Sequence, residues 1–79
     1  MRLDKYLKVS RIIKRRTVAA AACDAGRVDI NGKVAKSGDR LKIGDIIELR
    51  LGQEPRRFEV LALEESTRKE DAGLLFRQL

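Results

Sequence analysis

Residues 17–35 read TVAAAACDAGRVDINGKVA, and within this stretch the hydrophobic pattern changes from that of a helix to that of a β-hairpin. Alanine is the best helix former, so the run over 17–25 predicts a helix, and Gly26 can end it with a positive φ. Apolar and charged residues then alternate over 27–30, and Asn31-Gly32 is the dipeptide preferred in tight hairpin turns. The stretch therefore predicts a helix followed directly by two antiparallel strands.

A second helix is predicted upstream, over Leu3–Ile13, because apolar residues recur there at helical spacing. Lys14–Arg16 interrupts this pattern and is interpreted as a short connection, so that the two helices form an αα-hairpin. Five residues share one arc of about 120° and are expected to face the core: Leu3, Tyr6, Leu7, Ser10 and Ile13.

Downstream of these elements, two strands are predicted over 46–51 and 57–63 as an antiparallel pair. A capping box at Thr67–Glu70 predicts a short C-terminal helix over Lys69–Leu75. The predicted fold class is α+β: an N-terminal helical hairpin packed on a small antiparallel β-sheet, with a short C-terminal helix. We expect one domain over residues 1–79, with the long β-hairpin and the last helix in 46–79.

The formal net charge of +6 is concentrated at the N-terminus. Residues 1–16 carry seven basic side chains and the single acid Asp4, whereas residues 17–79 carry eleven side chains of each sign. A concentrated basic patch on an otherwise balanced domain is typical of a polyanion-binding surface, whose affinity falls as salt rises. The predicted nucleic-acid-binding residues are Arg2, Lys5, Lys8, Arg11, Lys14, Arg15 and Arg16.

The residues offer little support for catalysis, because the chain has no histidine and Cys23 is its only cysteine. Histidine is the commonest general base and metal ligand, and a lone thiol cannot form a redox or metal pair. We therefore predict a non-enzyme with no catalytic residue, metal or cofactor, and a buried Cys23. No apolar run could span a membrane and no signal peptide is visible, so we expect a cytoplasmic protein without a membrane partner.

Composition alone leaves other binding functions open. A DNA-binding regulator could use the same helical hairpin, although the alanine-rich second helix offers few side chains that read base edges. A membrane-surface helix would suit the basic N-terminus, but its apolar face is needed for the core. The three aromatic residues, Tyr6, Phe58 and Phe76, occupy expected core positions, so we predict recognition of structured RNA or duplex DNA without base stacking.

The motif order supports a family resemblance. Residues 2–36, RLDKYLKVSRIIKRRTVAAAACDAGRVDINGKVAK, and residues 41–49, LKIGDIIEL, resemble the S4-type RNA-binding domain of ribosomal proteins, also called the αL motif. The segments VSRIIKRRT (9–17) and STRKEDAGLLF (66–76) are similar to the stand-alone group of heat shock protein 15 and RqcP, and SRIIKRRT is most similar to the RqcP branch. The resemblance covers about residues 2–49 as a family motif.

This resemblance implies a role in ribosome-associated quality control. Members of the RqcP branch bind an obstructed large ribosomal subunit that carries peptidyl-tRNA, contact ribosomal and transfer RNA, and support alanine tailing of the stalled chain with the factor RqcH. The alternative, similar to heat shock protein 15, is a binder of free large subunits that carry nascent chains. We expect a monomer in either case.

The resemblance also assigns roles by position. Arg2, Lys5, Arg11, Arg15 and Arg16 match RNA-facing positions of the family, with Lys8 and Lys14 as helpers. The positions that match structural residues of the family are Asp4, Gly26, Asn31, Gly32, Gly44 and Asp45.

Overall fold

The computed structural model describes all 79 residues, and its elements follow the predicted change from helices to strands. The helices are α1 (Leu3–Val9) and α2 (Arg16–Asp24), and a 3₁₀ helix spans Lys69–Leu74. The strands are β1 (Val28–Ile30), β2 (Lys33–Val34), β3 (Ile46–Leu49), β4 (Arg56–Val60) and β5 (Phe76–Gln78). All neighbouring strands pair antiparallel in the order β2-β1-β3-β4-β5. No helix is long and apolar enough to span a bilayer.

The first helix ends four residues earlier than predicted, because the backbone reverses at Arg11. Arg11 has a left-handed φ of +62°. Its N–H donates to the carbonyl oxygen of Lys8 at 3.0 Å, and the N–H of Ile13 donates to the carbonyl oxygen of Leu7 at 3.0 Å. The reversal folds Ile13 back onto the core, so the predicted core face is confirmed although the predicted length is wrong.

The loop before β3 closes the beginning of α1. The N–H groups of Leu3 and Asp4 donate to the carbonyl oxygens of Asp39 and Ser37, at 2.8 and 3.1 Å. The first N–H groups of a helix have no partner within the helix, so this loop satisfies donors that no capping side chain reaches. The N-terminus is thereby attached to residues that lie more than thirty positions away in the sequence.

The second helix and the β-hairpin confirm the prediction made from residues 17–35. α2 ends in a Schellman motif, because Gly26 has a φ of +78° and its N–H donates to the carbonyl oxygen of Cys23 while that of Arg27 donates to Ala22. Asn31 and the glycine after it both have positive φ, as a type I′ turn requires.

The Asn31 side chain also joins this turn to the beginning of β3. Its Nδ2 donates to Asp45 Oδ1 at 3.0 Å, and its Oδ1 accepts the N–H of Ile46 at 2.9 Å. The Oδ2 of Asp45 accepts the N–H of Lys42 at 2.9 Å. The expectation that Asn31 and Asp45 are structural agrees with these bonds.

The core lies between the helical hairpin and one face of the sheet. Tyr6, Phe58 and the partly buried Phe76 all pack there, as predicted, and the two phenylalanine rings meet edge to face with centroids 5.3 Å apart. The buried cluster consists of Leu3, Tyr6, Leu7, Ile13, Ala19, Ala22, Cys23, Val28, Ala35, Leu41, Ile47, Leu49, Phe58, Val60 and Leu75.

The C-terminal segment differs from its prediction. The predicted helix is a 3₁₀ helix that begins after Arg68, no side chain caps it, and the predicted capping box is therefore wrong. The strand β5 was not predicted; it pairs with β4 and extends the sheet. The carbonyl oxygen of Leu75 accepts bonds from the Tyr6 hydroxyl at 2.6 Å and from the N–H of Leu61 at 2.9 Å. These long-range bonds fix the segment where its local sequence pattern is weak.

The conformation of Arg11 leads to a stability prediction. A left-handed φ costs a residue with a side chain about 1–3 kcal/mol, and glycine avoids this cost. We expect Arg11→Gly to leave the free energy of unfolding unchanged or to raise it by up to about 1 kcal/mol. Arg11→Val, which is β-branched, is expected to lower it by about 1–2 kcal/mol. Urea denaturation measures both variants, and a glycine variant less stable than the valine variant would contradict the prediction.

Candidate nucleic-acid interface

The seven predicted basic residues all belong to the helical hairpin. Arg2 precedes α1, Lys5 and Lys8 lie on α1, and Arg11 and Lys14 lie in the connection. Arg15 is the N-cap of α2. Arg16 was predicted to lie in the connection, but it is the first residue of α2. Only Lys5 is partly buried, and the other six residues are exposed. Their role in RNA binding stays a prediction. Five of them fall into two groups with different neighbours: Arg2 and Arg16 in one, and Lys8, Arg11 and Lys14 in the other.

The first group surrounds the buried carboxylate of Asp4. Arg2 donates to both carboxylate oxygens, from Nε at 3.2 Å and from Nη2 at 3.3 Å, and Arg16 Nη2 donates to Oδ1 at 3.4 Å. The N–H of Lys5 also donates to Oδ1, at 2.8 Å. Only 6% of the Asp4 side chain is exposed, whereas 48% of Arg2 and 46% of Arg16 remain exposed. One buried acid thus orients two arginines from separate elements while their other donors face solvent.

The environment of Asp4 keeps it ionised. Burial raises the pKa of this carboxyl group, but the hydrogen bonds from Arg16 and the N–H of Lys5, with the charges of Arg16 and Arg2, outweigh burial. The pKa is therefore below the ordinary value of 3.8. Asp4 lies in the first turn of α1, where a carboxylate offsets the positive end of the helix, and its ion-pair partners are the two arginines.

Arg40 is a basic residue beside this group that the sequence did not indicate. It forms an isolated antiparallel bridge with Arg2, and the neighbouring Leu41 donates its N–H to the carbonyl oxygen of Met1 at 2.9 Å. Gly38, in the same loop, lies close to the Arg2 guanidinium, since a Cβ at Gly38 would be 3.8 Å from Nη2. Arg40 lies 38 positions from Arg2 in the sequence, and no local pattern could have brought the two together.

The second group lines a polar pocket between α1 and the C-terminal segment. Lys8, Arg11 and Lys14 form one wall, and residues 65–67 form the other. The acid in this segment, Glu65, forms an ion pair with Lys5. The hydrogen bond and the charge of Lys5 lower the pKa of Glu65, so this acid is ionised at neutral pH. No local sequence pattern indicated an acid against the basic hairpin.

Charges on the outer face of the sheet are paired with one another. Arg50 bonds both oxygens of Asp29 at 2.8 Å and also contacts Glu48 at 3.2 Å. Arg57 reaches the other oxygen of Glu48 at 3.0 Å, and Arg77 pairs with Glu59 on the neighbouring strands. The three acids and three arginines of these pairs balance one another, whereas Lys33 on β2 and Arg56 on β4 form no ion pair.

The side chains with reactive chemistry are held in the core. Cys23 is fully buried, as expected, and burial raises the pKa of its thiol to about 11, so the thiol is protonated at neutral pH. Burial likewise raises the pKa of Tyr6 to about 12, and its hydroxyl donates to a backbone carbonyl oxygen. No cluster of three metal-ligating side chains is present.

The fold and the charged helical hairpin together define a small α+β domain of the RNA-binding type. A family model described as the S4 domain matches residues 1–47. Among similar proteins, the RQC P-site tRNA stabilizing factor of Streptococcus pneumoniae is 54% identical over 76 residues, which cover 96% of this chain and 86% of that protein. The heat shock protein 15 homolog of Haemophilus influenzae is 33% identical over 79 residues, which cover 99% of this chain and 60% of that protein. The chain therefore belongs to the S4 domain family, in the group of these two kinds of protein.

Solved structures agree with this assignment. Heat shock protein 15 of Vibrio cholerae, described as trimeric, superposes with a TM-score of 0.92 at 31% identity, covering all of this chain and 81% of that chain. The solution structure of the hypothetical protein HP1423 superposes with a TM-score of 0.84 at 30% identity, and the superposition covers all of this chain and 96% of that chain. The predicted α+β fold and the predicted family are both confirmed.

The lowered pKa of Asp4 predicts a pH-dependent stability difference. A carboxyl group whose pKa is lower in the folded state stabilises the fold above its unfolded pKa, and this stabilisation is lost as pH falls through the folded pKa. We expect Asp4→Asn to have a lower melting temperature than the wild type at pH 7. The difference should shrink as pH falls below the ordinary value of 3.8. Thermal melts monitored by circular dichroism test this, and a difference that is constant across the acid range would contradict it.

Proposed function

We propose that this chain is a non-catalytic RNA-binding factor of ribosome-associated quality control that acts in the cytoplasm. It binds the obstructed large ribosomal subunit together with the peptidyl-tRNA and contacts both RNAs. Relatives named RQC P-site tRNA stabilizing factor support this proposal, with 54%, 50% and 47% identity over 96% of this chain.

One structural observation carries the proposal. Lys8, Arg11, Lys14 and Arg15 are exposed on the helical hairpin and form no ion pair, and Asp4 is the single acid among residues 1–16. Cations without acidic partners can replace the counterions condensed on RNA, and their release favours binding. The core aromatics leave none free for base stacking, so the hairpin is suited to the backbone and shape of folded RNA.

The two groups of cations suggest how the factor would hold a tRNA. Arg2 and Arg16, fixed by Asp4, would contact one RNA segment, and the pocket group would contact another. A domain that contacts ribosomal RNA and tRNA together slows dissociation of the tRNA, since both contacts must break. We propose that the tRNA held in this way stays available for alanine tailing of the stalled chain, with RqcH as the partner factor and the domain acting as a monomer.

A second candidate function is a binder of free large subunits that carry nascent chains, in the manner expected of heat shock protein 15. The superposition on the Vibrio cholerae protein supports it. The requirement for tRNA separates the two candidates, because only the first needs tRNA for tight binding. A DNA-binding regulator is disfavoured, because α2 exposes Val18 and Ala21 where base-reading side chains would be needed.

Sedimentation tests the proposed function directly. In a low-salt sucrose gradient we expect the protein to migrate with large subunits that carry peptidyl-tRNA, and to bind them less after puromycin has released the nascent chain and the tRNA has dissociated. The protein should return to the top of the gradient as salt is raised. A protein that stays at the top at low salt would refute the proposal, and equal binding with and without tRNA would favour the second candidate.

Arg15→Ala tests whether the position of the charge matters. Arg15 forms no ion pair, in contrast to Arg16, so the substitution should leave the fold intact. We expect subunit affinity to fall by about tenfold, as for the loss of one charged hydrogen bond. The matched control is Arg27→Ala, an exposed arginine beyond the hairpin that changes the net charge equally. Equal losses in the two variants would show that only net charge matters.

A further inference from the structure

The polar pocket beside α1 is built from two distant parts of the chain. Lys8, Val9, Arg11 and Lys14 come from the helical hairpin, and Glu65, Ser66 and Thr67 come from the segment after β4. The S4 domain match ends at residue 47, so one wall of the pocket lies outside the family motif. None of the roles described above involves Ser66 or Thr67.

The three cations of the pocket are free to bind an anion. The ion pairs made by the basic residues of the hairpin involve Arg2, Lys5 and Arg16, so the charges of Lys8, Arg11 and Lys14 have no acidic partner within 4 Å. Glu65 is the one acid that lines the pocket, and Lys5 neutralises it. The lining therefore keeps a positive charge although it contains an acid.

The opposite wall supplies neutral donors. The hydroxyl groups that form hydrogen bonds within the protein belong to Tyr6, Ser10 and Ser37. The hydroxyls of Ser66 and Thr67 thus have no protein partner, although both residues line the pocket. Val9 is the only apolar residue of the lining, so the pocket is suited to a small polar anion and not to a base or an acyl chain.

We infer that this pocket seats one backbone phosphate of the bound RNA. Lys8, Arg11 and Lys14 supply the positive charge, and Ser66 and Thr67 donate hydrogen bonds to the non-bridging phosphate oxygens. The left-handed backbone at Arg11 agrees with this role, because strained residues concentrate at ligand-binding positions. The inference rests on the proposed function and specifies it: the C-terminal segment, and not only the S4 motif, contacts RNA.

If both walls of the pocket bind one phosphate, the contributions of the cations and of the two hydroxyls to RNA affinity should depend on each other. Binding of a fluorescein-labelled tRNA to the full chain is measured by fluorescence polarization over a range of salt concentrations. We expect Ser66→Ala/Thr67→Val to weaken binding by about tenfold without changing the salt dependence, since hydroxyls release no counterions. Lys14→Ala should weaken binding and also lower the slope of log affinity against log salt by about 0.7–0.9.

The combined variant gives the decisive comparison. If one phosphate contacts both walls, Lys14→Ala/Ser66→Ala/Thr67→Val should lose less affinity than the product of the two separate losses. The neutral control is Gln53→Ala, in the loop between β3 and β4, which should bind as the wild type does. Separate losses that simply multiply, or a Ser66/Thr67 variant that binds normally, would overturn the inference.

The same experiment distinguishes failure of the inference from failure of the proposed function. If the wild type binds tRNA and Arg15→Ala weakens this binding while Ser66→Ala/Thr67→Val has no effect, only the inferred phosphate-binding role of the pocket is wrong. If the wild type binds neither the labelled tRNA nor large subunits, both proposals fall. Circular dichroism confirms that each variant is folded, and the exposed position of Ser66 makes a loss of folding unexpected.

Discussion

The buried carboxylate of Asp4 is the interaction on which the arrangement of the helical hairpin depends. It is the only charged residue buried in the domain, and a buried charge is stable only if it is paired and hydrogen-bonded. Arg2, just before α1, and Arg16, the first residue of α2, satisfy this requirement. The same requirement fixes the direction of both guanidinium groups, so the core and the candidate interface are set by one contact.

The sequence predicted those parts of the fold that local patterns determine. The alanine-rich helix, its glycine cap, the Asn31-Gly32 turn and the paired strands β3 and β4 are confirmed, because periodicity and turn chemistry act over a few residues. The early end of α1, the strand β5 and the uncapped 3₁₀ helix were missed. The C-terminal segment depends on bonds between distant residues, such as that from Tyr6 to the carbonyl oxygen of Leu75. The early end of α1 depends on the left-handed conformation of Arg11, a residue type that does not signal it.

In the candidate interface, too, the sequence indicated the clustered cations but not the partners that tertiary structure brings to them. All seven predicted cations occupy the helical hairpin, since their clustering is visible in the sequence itself. Their partners could not be predicted: Glu65 against Lys5 and Arg40 beside Arg2 are brought in by tertiary structure. Sequence composition also could not show which charges of the sheet pair across neighbouring strands, as Arg57 does with Glu48 and Arg77 with Glu59.

The hydrogen bond between Tyr6 and Leu75 has a consequence for synthesis of the protein itself. The first helix packs on α2 and on a core that includes Leu75, so one of its partners is separated from it by nearly the whole chain. Long-range contacts form slowly and only after the intervening segment is available. During translation the basic N-terminus therefore leaves the ribosome well before this C-terminal partner does. A truncated chain that ends before Leu75 would lack this closure, which makes completion of synthesis a condition for a fully formed binding surface.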